Sequence, residues 1–249
     1  MVRAVIFDLD GTLVQSEKLK ALSYAIAVQK ILDLPQPDPR AIEAYREVIG
    51  SSREAASRHV MERLGLETKL RPLASLYGVS EPWEALTVLR LNIYKQMVSD
   101  PQFLRDNQWP HTVAFLRLVR QNGCKTGLAT MSHRPEVHHV LIALALEGKL
   151  DVVVTREDVK EPKPDPEIYL TACRLLQVSP AECLAVEDSP AGVQAALAAG
   201  IDTIAVATPF TLERLRAADL VPCRCLVEDP EKLLATVESC LQERSPLGS

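Results

Sequence analysis

Apolar residues gather in short continuous runs at Ala4–Phe7, Lys125–Ala129, Val152–Val154, 184–186 and 203–206. Each run has the length and β-branched content of a buried strand. Between most of them, apolar and polar positions alternate at helical spacing, and the helix punctuation is repeated. After Ala129 comes "TMSHRPEVHHVLIALALEG", in which Ser132 is placed to cap, Pro135 to sit in the first turn and Gly148 to stop the helix. "KPDPEIYLTACRLLQ" predicts a helix capped by Asp165 with Pro166 first. "SPAECL" spaces Ser179 and Glu182 as a capping box, and "DSPAGVQAALAAG" opens on Ser189 and Pro190 and closes at Gly200. Strands that are apolar throughout and separated by helices predict a parallel sheet covered on both faces. The expected fold is α/β, a doubly wound parallel sheet with a Rossmann-like core.

The stretch between Phe7 and Lys125 breaks this rhythm. It reads as helices at 17–30, 39–50, 52–64, 83–98 and 111–121, whereas a crossover between parallel strands needs one helix. The last serves as the crossover. Residues 16–101 therefore read as an inserted helical domain, and residues 1–15 with 102–249 as the core. Pro35, Pro37, Pro39 and the "SDP" ending at Pro101 punctuate the insertion. The segment 66–82 suits a loop or short helices equally.

Composition narrows the function classes. The chain has 249 residues, 47% hydrophobic and 24% charged, which is ordinary globular usage. A net charge of -5 without a dense Lys/Arg stripe offers no field for a nucleic-acid backbone. The six cysteines form no CxxC pair and read as reduced, buried thiols. Cys223 and Cys225 lack neighbouring ligands to complete a zinc site. No charged start with an apolar h-region and no bilayer-length apolar run is present, so a cytoplasmic protein without membrane contact is expected.

In open parallel sheets ligands bind beyond the carboxyl ends of the strands. There the sequence places Asp8 and Asp10 after the first strand, and Thr130 and Ser132 after the second. Lys163 follows the third strand, and Glu187 and Asp188 the fourth. Crowded carboxylates raise one another's pKa, so a cation is expected among them, and oxygen ligands favour Mg²⁺. Lys163 and Thr130 would then face a bound anion such as a phosphate. Each residue alone has a plainer reading: a turn for the Asp pair, a helix cap for Thr130, a solvated loop for Lys163, and a helix N-terminus for Glu187 and Asp188. Those readings leave the shared strand-end placement unexplained.

"DLDGTL", the Thr following "GLA", "KPDPEIYL" and "VEDSPAGVQAALAAGI" together resemble the four signature segments of the haloacid dehalogenase-like hydrolases. The likeness is to the branch containing phosphoglycolate phosphatases and β-phosphoglucomutase. It implies phosphoryl transfer through an aspartyl-phosphate, with Asp8 as nucleophile. Asp10 would be the general acid and base, a role worth about 10²- to 10⁴-fold. Thr130 and Lys163 would hold phosphoryl oxygens. Mg²⁺ would be bound by the Asp8 carboxylate, the Asp10 carbonyl and Asp188, with Glu187 supporting its shell. Gly11 would let the chain turn tightly, Thr12 would offer a local hydroxyl contact, and Gly11 and Ser132 would lie against the substrate. Asp10 argues for phosphate esters, because the dehalogenases and phosphonate-cleaving members lack an aspartate there.

The insertion resembles this family's C1-type cap. In "IGSSREA", Arg53 is a candidate for a second phosphate or carboxylate, or else opens a plain helix that Ser51 or Ser52 caps. Gln15 departs from the common pattern, and Lys20 stands where mutase-like sequences carry histidine. Lys20 could meet an anionic substrate or lie on a solvated helix face. His133, His138 and His139 read as helix surface or packing. The expectation is a monomeric, Mg²⁺-dependent phosphatase of a small phosphorylated metabolite, such as a sugar phosphate or phosphoglycolate-like acid. A phosphomutase and a catalytically silent binding protein on the same fold are the alternatives.

Overall fold

The computed structural model describes residues 2–49 and 51–242, the side chains of 241 and 242 excepted. The chain divides into two compact units, one formed by Met1–Gln15 with Leu104–Ser249 and the other by Ser16–Phe103. Strand β1 (Ala4–Phe7) opens the first unit, and the chain leaves it after Gln15.

The second unit is helical: α1 (Ser16–Leu32), α2 (Pro39–Arg46), α3 (Arg53–Arg63), α4 (Glu67–Tyr77) and α5 (Pro82–Val98). Helix α4 occupies the stretch whose mixed polarity suited a loop, and it contains Pro72. Helix α2 stops at Arg46, short of the expected extent; Gly50 lies outside the described residues. The interior is built on aromatic rings. Tyr24 and Tyr45 stack with centroids 5.2 Å apart, and the Tyr24 and Thr87 hydroxyls meet Ser57 Oγ at 2.9 and 2.7 Å. Buried Arg90 lies over Tyr24, 5.2 Å from the ring centroid, and its Nε has no hydrogen-bond partner among the described residues.

The chain re-enters the first unit through α6 (Pro101–Asp106) and α7 (Pro110–Gln121). Exit and re-entry are pinned to each other. Gln15 N–H donates to the Asn107 carbonyl at 2.9 Å, Trp109 N–H to that of Leu13 at 2.8 Å, and Gln15 Nε2 to that of Gln108 at 3.1 Å. Then come β2 (Lys125–Ala129), α8 (Arg134–Ala143), β3 (Val152–Val154), α9 (Glu167–Leu176), β4 (Cys183–Glu187), α10 (Pro190–Ala198) and β5 (Asp202–Val206). Helix α11 (Leu212–Ala218), β6 (Leu226–Val227) and α12 (Leu233–Gln242) complete the described chain.

All strand pairs are parallel, and the six-stranded sheet has the order β3-β2-β1-β4-β5-β6. This is the doubly wound α/β arrangement that the apolar runs predict. Ile6, Ala129, Ile168, Tyr169, Leu176 and Ala185 are fully or almost fully buried in one cluster where α9 packs on the sheet. A large side chain so buried contributes roughly 1.5–3 kcal/mol.

Punctuation differs in detail from the sequence reading. Ser189 caps α10 by accepting from Gly192 N–H at 3.1 Å, and the Ser179–Glu182 box forms around a 3₁₀ turn. Helix α8 is capped at His133, not Ser132, and ends before Ala145, which takes φ 54°, well short of Gly148. Pro166 is the cap of α9, and Asp165 Oδ1 accepts from Glu167 N–H at 2.9 Å. The cysteines correct one expectation: Cys225 and Cys240 form a disulfide and Cys223 is exposed, while Cys173 and Cys183 are buried thiols. A separation of 15 positions in sequence and the lack of any motif hid that pairing. Among the described residues no helix is long and apolar enough to cross a membrane.

Asp38 caps α2 by accepting from Arg40 N–H at 2.9 Å, and its carboxylate grips the Arg40 guanidinium at 2.6 Å. The Arg40 side-chain hydrogen bonds hold the Asp38 carboxyl below its ordinary range. Asp38→Ala should therefore lower the unfolding free energy by about 1 kcal/mol at neutral pH. A depressed folded pKa contributes stability above the unfolded value and loses it as pH falls through the folded one. Urea unfolding at neutral pH and at about pH 3 should thus show the deficit shrinking in acid.

Candidate active site

β1 lies between β2 and β4, so the ends of these three strands face a common edge where the winding direction reverses. Phe7 pairs with Leu128 and Val186, which aligns the residues that follow. Asp8 continues the β1 direction, its N–H bonded to the Val186 carbonyl at 3.0 Å. Gly11 then turns the chain with φ 87°, and a side chain there would run into the Asp188 carboxylate. Both demands exclude other residues.

Lys163, Asp8 and Glu187 form the centre of the site. Lys163 Nζ donates to Asp8 Oδ1 at 2.7 Å, to Glu187 Oε1 at 2.5 Å and to the Ala129 carbonyl at 2.9 Å, which uses its three protons. Its side chain is only 7% exposed. Burial works against that charge, but Asp8 and Glu187 outweigh it and hold the ammonium above the ordinary lysine value. The loop lysine of the plain sequence reading is thus a buried ion.

Glu187 is fully buried, with protein donors on both oxygens. Oε1 takes Lys163 and the Tyr169 hydroxyl at 2.7 Å, and Oε2 takes Asp188 N–H at 3.2 Å and Ser189 Oγ at 3.3 Å. Its carboxyl lies against the Gly192 Cα, where a Cβ would collide with it. Burial is the main cause lifting the Tyr169 hydroxyl well above the usual phenol value, with the Glu187 charge adding to it, so the hydroxyl remains a donor.

Asp10 accepts a hydrogen bond from Ser132 Oγ, and Thr130 is fully buried with its Oγ1 accepting from Ser132 N–H at 3.1 Å. The structure therefore joins Ser132 to Asp10. Thr12 Oγ1 is buried without a hydrogen-bond partner among the described residues, contrary to the local contact expected of it. Lys20 and Arg53 belong to the helical unit: Lys20 Nζ pairs with Glu17 at 2.7 Å on α1, and exposed Arg53 begins α3 behind the Ser52 cap. The histidines lie on helix surfaces, with His133 Nδ1 meeting Glu157 at 2.7 Å.

Asp8, Glu187 and Asp188 carry carboxylate oxygens within 4.8 Å of one another, all three buried. Burial lifts the Asp8 pKa to about 8, with the Glu187 and Asp10 charges adding and Lys163 opposing. One ammonium thus leaves the carboxylate cluster undercompensated. An all-oxygen, acidic, buried donor set of this kind fits a hard divalent cation.

The profile of the haloacid dehalogenase-like hydrolases matches residues 2–200. Validoxylamine A 7′-phosphate phosphatase of Streptomyces hygroscopicus subsp. limoneus is 29% identical over 224 residues, covering 89% of this chain and 93% of its own. Phosphorylated carbohydrates phosphatase of Thermotoga maritima is 31% identical over 203 residues, covering 82% and 84%. A crystal structure from T. maritima, provisionally named a β-phosphoglucomutase, superposes with a TM-score of 0.69 at 27% identity, covering 96% of this chain and 99% of that one. The chain belongs to the haloacid dehalogenase-like hydrolases, in their branch of phosphatases and β-phosphoglucomutases. It is an enzyme of the phosphoric monoester hydrolase class.

Tyr169 and Gly192 escape sequence reasoning. The tyrosine sits on the buried face of an amphipathic helix and reads as core. The glycine lies two residues inside a helix, where it is unfavourable by about 1 kcal/mol against alanine, and that was the available signal.

Two outcomes follow. A carboxyl with a raised folded pKa holds extra protons in the native state, so stability falls as pH rises between the unfolded and folded values. In chelator, wild type should lose melting temperature from about pH 5 to pH 8 relative to Asp8→Asn, and added Mg²⁺ should close the gap. Gly192→Ala, which forces a Cβ onto the Glu187 carboxyl, should cost about 1–3 kcal/mol in urea unfolding.

Proposed function

We propose that the protein is a Mg²⁺-dependent phosphatase of small phosphorylated metabolites, sugar phosphates first among them, acting through an aspartyl-phosphate on Asp8. The observation that carries this reading is the state of the Asp8 carboxylate. One oxygen is held by Lys163, and the other takes no hydrogen bond among the described residues, which leaves it available to attack phosphorus.

Asp8, Asp188 and the Asp10 carbonyl would hold the Mg²⁺. Glu187, with protein donors on both oxygens, would support the site through Lys163. The metal would supply positive charge, so that an anionic nucleophile can approach an anionic ester. Thr130 would hold a phosphoryl oxygen, and Lys163 would hold another by giving up one of its three present acceptors. Asp10, oriented by Ser132, would protonate the leaving oxygen and then take a proton from the water that hydrolyses the intermediate.

Residues 16–101 would act as a cap that chooses the leaving group, Arg53 being the candidate contact for a distal anion. The relative named as a phosphatase of phosphorylated carbohydrates favours a polyhydroxylated substrate. Phosphomutase activity is the second reading, favoured by the likeness to the T. maritima structure. Lys20, bound to Glu17 in the place of a mutase histidine, weighs against it.

The test is phosphate release with Mg²⁺ from sugar phosphates, phosphoglycolate and nucleotides, with Asp8→Asn as the blank. Glucose 1-phosphate with its bisphosphate forms a mutase arm. Release from a narrow sugar phosphate subset is expected, with none from Asp8→Asn. Undiminished release by that variant would sink the mechanism, and glucose 6-phosphate without free phosphate would make the protein a mutase.

A further inference from the structure

Tyr169 is completely buried among aliphatic and alanine side chains on the sheet-facing side of α9. A phenylalanine would fill the same volume without desolvating a hydroxyl, a cost that only a hydrogen bond offsets. Among the described residues the sole hydrogen bond of that hydroxyl goes to Glu187 Oε1, at 2.7 Å. The same oxygen accepts from Lys163 Nζ, and the ring centroid lies 5.2 Å from that nitrogen. Tyrosine thus meets the lysine twice, by its ring and through a shared acceptor.

We propose that Tyr169 is a positioning residue, holding Glu187 through its hydroxyl so that Lys163 is aimed at Asp8 and at the phosphoryl group. The inference rests on the phosphatase reading for the second of these targets. Two donors on Oε1 divide its charge. With the phenol removed, Lys163 would be the only donor left on that oxygen and would be drawn toward Glu187 and away from Asp8. The Glu187 carboxyl already packs closely against the Gly192 backbone, which limits its room to shift and restore the distance.

The test is Tyr169→Phe made in wild type and in Lys163→Ala. In wild type the substitution should reduce kcat/KM about tenfold, the scale of a hydrogen bond to a charged group, with melting unchanged within a few degrees. Inhibition by inorganic phosphate should weaken in parallel. In Lys163→Ala the same substitution should cost less than about twofold, because the group it acts through is gone. Where turnover is too slow to follow, calorimetric titration with inorganic phosphate gives the same comparison. A loss of equal size in both backgrounds, or no loss in wild type, would make Tyr169 a packing residue and overturn the proposal.

If wild type hydrolyses no ester, the phosphatase reading fails separately. A crystal structure of Tyr169→Phe then decides the matter. Lys163 Nζ displaced from Asp8 Oδ1 supports positioning, and an unmoved lysine overturns it.

Discussion

The site depends on one buried ammonium. Lys163 holds Asp8, Glu187 and the Ala129 carbonyl at hydrogen-bond distance, and so ties the ends of β1, β2 and β4 together. Taking such ions out of water costs several kcal/mol apiece unless every donor and acceptor is matched. Here the lysine's three protons are all placed, and the arrangement still leaves the carboxylates in excess. That imbalance has a functional sense: the residual negative charge is what a divalent cation would neutralise, and only then could an anionic phosphate bind beside it.

The sheet supplies the precision this requires. Parallel pairing with a fixed register sets where each strand ends, and burial on both faces resists a slip that would move the acids apart. Close approach is then made possible by absent side chains. Gly11 leaves room for Asp188, and Gly192 leaves room for Glu187, so two carboxylates are pressed against bare backbone. The chemistry is carried by charged groups, but their separations are set by glycines and by strand register.

Much of this was legible in the sequence. Asp8, Asp10, Thr130, Glu187 and Asp188 are announced by apolar runs that stop abruptly at polar residues, since strand ends are where open parallel sheets bind ligands. Lys163 required the surrounding motif, because a lysine between prolines looks solvated. What stayed hidden depends on partners distant in sequence. The Tyr169 hydroxyl has meaning only once Glu187 is opposite it, Ser132 only once Asp10 is beside it, and Cys225 only once α12 brings Cys240 back. Helix α4 was ambiguous because Pro72 and mixed polarity blur its periodicity. Helix α8 ended early because Ala145, a residue with no turn preference, takes the left-handed conformation.

The hydrogen bonds joining Leu13 and Gln15 to Asn107, Gln108 and Trp109 have a consequence for descent. They close the first unit across the gap left by the insertion, so its exit and entry points lie side by side whatever intervenes. Closure entropy grows only with the logarithm of loop length. Insertions of quite different size could therefore be exchanged at this seam at little cost to the nucleophile's surroundings. A lineage built on such a chain is free to vary what it accepts while conserving how it reacts.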